Sequence, residues 1–171
     1  IYDDAKPATR SLLLIPNWMR FNAANLAQGR LVAERGYTVY VVDMYGKSVR
    51  PTTMQEAGAA AGSVKSNTAA MRARINTARD TLLSQSTVKV DPDKLAAIGF
   101  CFGGTVALEL ARSGAPVPAV VSFHGGLATQ EAASKDTLKS KVLVLHGADD
   151  PNVPAKDVDA FQEEMRAAGA D

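Results

Sequence analysis

The six residues Gly99-Phe100-Cys101-Phe102-Gly103-Gly104 constrain this chain more than any other stretch. They place the chain's only cysteine at the centre of a G-x-nucleophile-x-G pattern. Lys94 to Ile98, just before it, reads as a short buried strand, and Thr105 to Arg112, just after it, reads as a helix. Strand, glycine-flanked turn and helix together make a nucleophile elbow, which lifts a reactive side chain above a parallel sheet. Glycine suits such a turn because the backbone is strained and neighbouring chain packs very closely. The first turn of the helix adds a positive dipole end, which lowers a thiol pKa and stabilises an oxyanion. A lone cysteine between two phenylalanines also fits a small buried hydrophobe. Its place at the strand-to-helix turn favours the nucleophile, and with it a cysteine hydrolase.

The rest of the chain alternates apolar runs with helical stretches. Ser11 to Ile15 is a short strand that breaks at Pro16. Asn22 to Glu34 reads as a helix capped by Asn22 and stopped by Gly36. Thr38 to Val42 is a β-branched strand ending at Asp43. Met44 to Ser63 is looser, with one short helix at most, and Val64 to Leu83 reads as one long helix. Val117 to Phe123 and Lys141 to Leu145 are strands. Gln130 to Ser140 is a polar surface excursion, and Asp157 to Ala168 is a helix stopped by Gly169. Continuous apolar strands separated by helices predict an α/β domain, a three-layer α/β/α sandwich around a mostly parallel sheet. At 171 residues, one domain over 1–171 is expected.

Charge is nearly balanced, with 19 basic and 18 acidic residues, so nothing pulls the chain toward nucleic acid or an acidic membrane surface. No apolar run approaches a membrane span. One cysteine excludes an internal disulfide or a cysteine-based zinc site and suits a reducing, cytoplasmic setting. No metal and no organic cofactor is implied. The expected partner is a small-molecule ester or lactone, with the chain a monomer or a small homo-oligomer.

In a parallel sheet, chemistry gathers just past the strand carboxyl ends. Those positions are Pro16-Asn17-Trp18, Asp43, Cys101, His124 and His146 to Asp150. Downstream of an elbow nucleophile, the triad acid follows a later strand, and Asp150 fits that place. Asp149 and Asp150 also suit a plain turn before Pro151. His146 is expected to bond backbone and hold its loop, and His124 to pack beneath the site. Arg72 and Arg74 could reach a substrate carboxylate or simply lie on an exposed helix face. Trp18, Met19 and Phe21 suit either an acyl pocket or the core. A dinucleotide site at Asp43 is disfavoured, because Pro16-Asn17-Trp18-Met19 stands where G-x-G-x-x-G would be needed.

GFCFGG at 99–104, SFHGGL at 122–127 and VLVLHGADDPNVP at 142–154, with Val39 to Tyr45 followed by a gap and a helix, together resemble the dienelactone hydrolase family of α/β-hydrolases. The resemblance extends over nearly the whole chain. It implies an α/β-hydrolase fold and hydrolysis of an enol-lactone or related ester, an activity of the carboxymethylenebutenolidase type. It casts Cys101 as nucleophile and Asp150 as triad acid, with the backbone N–H groups of Phe102 and Trp18 as the oxyanion hole. It also implies further opening strands and, past the last helix, a strand followed by the triad histidine, all expected outside 1–171. Family members commonly carry a Glu where this chain has Asn17, and an amide cannot take a thiol proton. Activation through a histidine alone, or a different substrate, follows. Asn17 and His124 are candidates for activation or substrate contact. Two alternatives stand beside this reading. One is a non-catalytic module of the same fold. The other is a glutamine-amidotransferase-like cysteine enzyme, disfavoured because neither histidine is followed two residues on by Glu.

Overall fold

A computed structural model describes residues 1–3 and 10–170. The strands are β1 (Arg10–Ile15), β2 (Tyr37–Val41), β3 (Leu95–Phe100), β4 (Ala119–Phe123) and β5 (Lys141–Leu145). The helices are α1 (Ala23–Ala33), α2 (Met54–Lys65), α3 (Thr68–Ser84), α4 (Phe102–Arg112) and α5 (Ala155–Ala167). The strands form one sheet in the order β2-β1-β3-β4-β5, and every neighbouring pair is parallel. The α/β sandwich with a parallel sheet is therefore observed. Among the described residues, no helix is long and apolar enough to cross a membrane.

Alternation along each strand sends successive side chains to opposite faces. Leu12, Leu14 and Val39 pack with Ala33 of α1 on one face. Leu13, Ile15, Ala97 and Val120 face the other, beneath α2, α3 and α4. Phe161 of α5 extends that second layer over Leu108, Leu127 and Val153. α1 does not reach the far end of the sheet, and there Leu143 and Leu145 of β5 are 53% and 44% exposed.

Two readings of the middle of the chain need correction. Met44 to Ser63 is not mostly loose: α2 runs for 12 residues from Met54. It begins at a capping box, in which Thr53 accepts from the Glu56 N–H and Glu56 accepts from the Thr53 N–H. Val64 to Leu83 is not one helix either. α2 ends at Lys65 with Ser66 as its C-cap, and Asn67 caps α3 by accepting from the Ala70 N–H. The break lets Ala57, Ala61 and Val64 of α2 and Met71, Ile75 and Leu82 of α3 bury two separate faces.

β1 and β3 are neighbours, but the chain leaves β1 toward β2 on one side and leaves β3 toward β4 on the other. The loops after β1 and β3 therefore diverge, and a crevice opens at the sheet's carboxyl edge. The residues after β1 and β3 are the Trp18 loop and Cys101.

Candidate functional site

Cys101 sits at the N-cap of α4 with φ 55° and ψ −121°, a left-handed conformation that a non-glycine residue adopts only under local constraint. The constraint comes from backbone. Its N–H donates to the Phe123 carbonyl of β4 at 2.9 Å, and its own carbonyl accepts from Gly104 N–H at 2.8 Å. A Cβ on Gly103 would lie 2.1 Å from the Ile15 carbonyl oxygen, so only glycine lets α4 start against the end of β1. Close packing thus seats the elbow against the Trp18 loop on one side and β4 on the other.

Cys101 opens on a cavity of about 420 Å³, whose lining includes Trp18, Phe102, His124, Asp150 and Lys65. Four of the proposed residues, Trp18, Phe102, His124 and Asp150, thus share one space with Cys101. The N–H groups of Phe102 and Trp18 have no hydrogen-bond partner among the described residues. Unpaired backbone donors beside a nucleophile are what an oxyanion hole requires.

Asp150 follows β5 in a tight turn, its N–H donating to the Gly147 carbonyl at 3.1 Å. Its Oδ1 accepts from the Asn152 N–H at 2.9 Å and from Asn152 Nδ2 at 3.2 Å. The Asn152 N–H holds the carboxyl below its ordinary range against slight desolvation, helped by the Asn152 side chain and the nearby His146 and His124. Asp150 is therefore a carboxylate at neutral pH, with Oδ2 unbonded among the described residues.

The two histidines depart from expectation. His124 does not pack beneath the site: it is exposed and lines the cavity. Its backbone is left-handed, φ 41°, pinned by an N–H donated to the Leu145 carbonyl at 2.8 Å. His146 lies outside that lining, and its buried Nδ1 has no partner, so it does not hold its loop through that atom.

Asn17 faces a small neighbouring crevice shared with Arg20, Tyr45 and Phe102, and its Oδ1 accepts from the Met19 N–H at 3.0 Å. Arg72 and Arg74 are both engaged away from the cavity. Arg72 pairs with Glu109 at 2.8 Å and Glu131 at 2.7 Å, and Arg74 donates to the Met44 carbonyl at 3.2 Å.

Sequence reading gave Tyr45 no role at the site. Its buried hydroxyl donates to the Trp18 carbonyl at 2.8 Å, and its ring packs 5.5 Å from that of Phe102. Burial pushes its hydroxyl up to about 12, and the negative charges of a Cys101 thiolate and Asp43 add to the rise. It therefore stays a donor at neutral pH. Its two-residue distance from strand-end Asp43 and its place at the end of the Val39 to Tyr45 stretch were the signals that pointed to it. Among the described residues, no group of three or more His, Cys, Asp or Glu is placed to hold a metal ion.

The model of the dienelactone hydrolase family matches residues 1–171. An uncharacterised protein of Caenorhabditis elegans is 40% identical over 103 residues, covering 59% of this chain and 64% of that protein. A solved structure described as a dienelactone hydrolase-like promiscuous phosphotriesterase from metagenomic libraries is 34% identical, with a TM-score of 0.88 over 99% of this chain and 70% of that one. Another, titled m3DLH, is 36% identical with the same TM-score and coverage. The chain spans 64%, 51% and 33% of the length of three curated relatives it matches. With the elbow, the parallel sheet and a match along its full length, this chain belongs to the dienelactone hydrolase family.

Proposed function

We propose that the chain carries the nucleophile and the acid of a cysteine-dependent hydrolase of carboxylic esters or enol-lactones. The observation behind this reading is the conformation of Cys101. A left-handed cysteine at a strand-to-helix turn opens on a cavity that also holds a carboxylate and two unpaired backbone donors.

The Cys101 thiolate attacks the acyl carbon, a C–S bond forms, and the carbonyl π pair moves onto oxygen. The N–H groups of Phe102 and Trp18 receive that oxyanion, and one such donor contributes about 10²–10³ in turnover. Collapse breaks the acyl C–O bond, expels the alkoxide or enolate and leaves a thioester. Water then adds to the thioester, and C–S cleavage returns the thiol and releases the carboxylic acid. Asp150 orients the histidine that the family resemblance implies and stabilises its imidazolium. His124 and Lys65 line the same cavity and contact the substrate. The structural relative described as a phosphotriesterase makes a phosphotriester the second substrate class to assay.

Intact-mass kinetics with iodoacetamide and p-nitrophenyl acetate, from low to high pH, test this reading. The expected result is alkylation of Cys101 faster than that of free cysteine at the same pH and gain of one acetyl group, both lost in Cys101→Ala. A folded chain that labels no faster than free cysteine and gains no acetyl group would make Cys101 a packing residue and leave the non-catalytic reading standing.

A further inference from the structure

Two peptide groups flank the proposed oxyanion donor Trp18, and both are held by one cluster outside the cavity. The peptide joining Asn17 to Trp18 is trans, so its N–H points away from its carbonyl. That Asn17 carbonyl accepts from the Arg20 N–H at 3.1 Å, which fixes the plane in which the Trp18 N–H lies. The next peptide is held by its carbonyl, through Tyr45 Oη at 2.8 Å. Arg20 and Tyr45 meet at Asp43. Arg20 Nε and Nη2 donate to Asp43 Oδ2 at 3.0 and 2.7 Å, while Oδ1 accepts from the Tyr45 N–H at 3.0 Å and the Gly46 N–H at 3.2 Å. Arg20 also has a left-handed backbone, φ 65°, and its guanidinium stacks 4.0 Å from the centre of the Phe21 ring. An arginine held against its backbone preference, with both sides of an acidic partner engaged, serves a defined geometry.

We propose that Arg20, Asp43 and Tyr45 form a clamp that aims the Trp18 N–H at the acyl oxygen; they are positioning residues for the oxyanion hole. The inference rests on the hydrolase reading of Cys101. Asp43 is the shared anchor of the loops after β1 and β2, so the oxyanion donor is set by a strand that contributes nothing to the cavity wall. The phenol stays protonated and Asp43 stays ionised at neutral pH. Burial of Asp43 is outweighed by the hydrogen bonds from Arg20, Tyr45 and Gly46 and by the Arg20 charge.

The test compares two reactions of the same thiol in the full chain. Acylation by p-nitrophenyl acetate, followed by stopped flow, develops an oxyanion; alkylation by iodoacetamide develops none. Tyr45→Phe is expected to slow acylation roughly tenfold while alkylation stays within about twofold, a fraction of what a whole donor contributes. Arg20→Gly is expected to match it, and glycine accepts φ 65° freely, so its loss reports the guanidinium. Arg20→Lys, which keeps a charge beside Asp43, should recover part of the acylation rate. Acylation at the wild-type rate in both Tyr45→Phe and Arg20→Gly overturns the clamp. So does an equal loss of acylation and alkylation, which would make Tyr45 act on the thiol. A wild type that alkylates but never acylates overturns the hydrolase reading, and the clamp with it.

Discussion

At Gly103 a single missing methyl group decides whether the elbow can form. An added Cβ would lie 2.1 Å from the Ile15 carbonyl oxygen and 2.5 Å from that of Pro16, and both obstacles are backbone. No side chain can rotate away to relieve them. Gly103→Ala is therefore expected to destabilise the fold by about 3 kcal/mol or more, at the upper end of overpacking costs. Urea unfolding followed by circular dichroism reads it, and a midpoint equal to wild type would refute the packing argument. Residue identity here was legible, since glycines around Cys101 between a strand and a helix announce a tight turn. The orientation of His124 was not. Its side chain faces the cavity because its N–H is tied to Leu145, 21 positions along the chain, and nothing in SFHGGL specifies that bond.

Between elements, α4 is joined to α3, α5 and the segment after β4 by a buried ionic network. Arg112, 1% exposed, donates to Glu109 at 2.9 Å, to Glu164 of α5 at 2.7 Å and to the Leu127 carbonyl at 2.7 Å. Glu109 is held from its other side by Arg72 of α3, which also donates to Glu131, and Glu164 accepts from the Ala133 N–H. Leu127 lines the Cys101 cavity, so the network supports one wall of the site. Removing one partner leaves the others desolvated without compensation, a loss of roughly 3–5 kcal/mol. Arg112→Met is expected to lower stability by about that amount in urea unfolding; a change within about 0.5 kcal/mol would mean the network is held by Arg72 alone. Helix identity at α4 was legible from the elbow. The division between α2 and α3 was missed because Ser66-Asn67 carries no glycine or proline. The capping signals, Thr53 with Glu56 and Asn67 ahead of Ala70, were present in the sequence all the same.

For the whole molecule, two carboxylates that tie distant elements together also set its response to acid. Glu164 is desolvated, yet Arg112, the Ala133 N–H and Arg72 hold it below its ordinary value of 4.5. Asp43 is held below 3.8 in the same way. A carboxylate with a depressed folded-state pKa adds stability above its ordinary pKa and loses it as pH falls through the folded value. Stability should therefore be flat from neutrality to about pH 5 and fall steeply below about pH 4. Arg112→Met should flatten that acid limb, because Glu164 then gains less from ionising. Urea midpoints measured across this range check it, and parallel acid limbs in wild type and variant would count against the role of Glu164.

The sequence by itself determined the class of fold, the elbow and the approximate position of the strands, because those depend on neighbours within a few residues. Glycines beside Cys101, caps at Asn22 and Gly36, and apolar runs between them are local instructions. It also put Asp150 past the end of its strand, and the structure places that residue in the cavity shared with Cys101. The tertiary structure decided which polar groups meet. Arg20 finds Asp43 across 23 positions and Arg112 finds Glu164 across 52, and these pairings aim the Trp18 peptide and brace the cavity wall. No spacing rule encodes such contacts: they exist only once a parallel sheet gathers its strand-end loops at one edge and stacks its helices on one face.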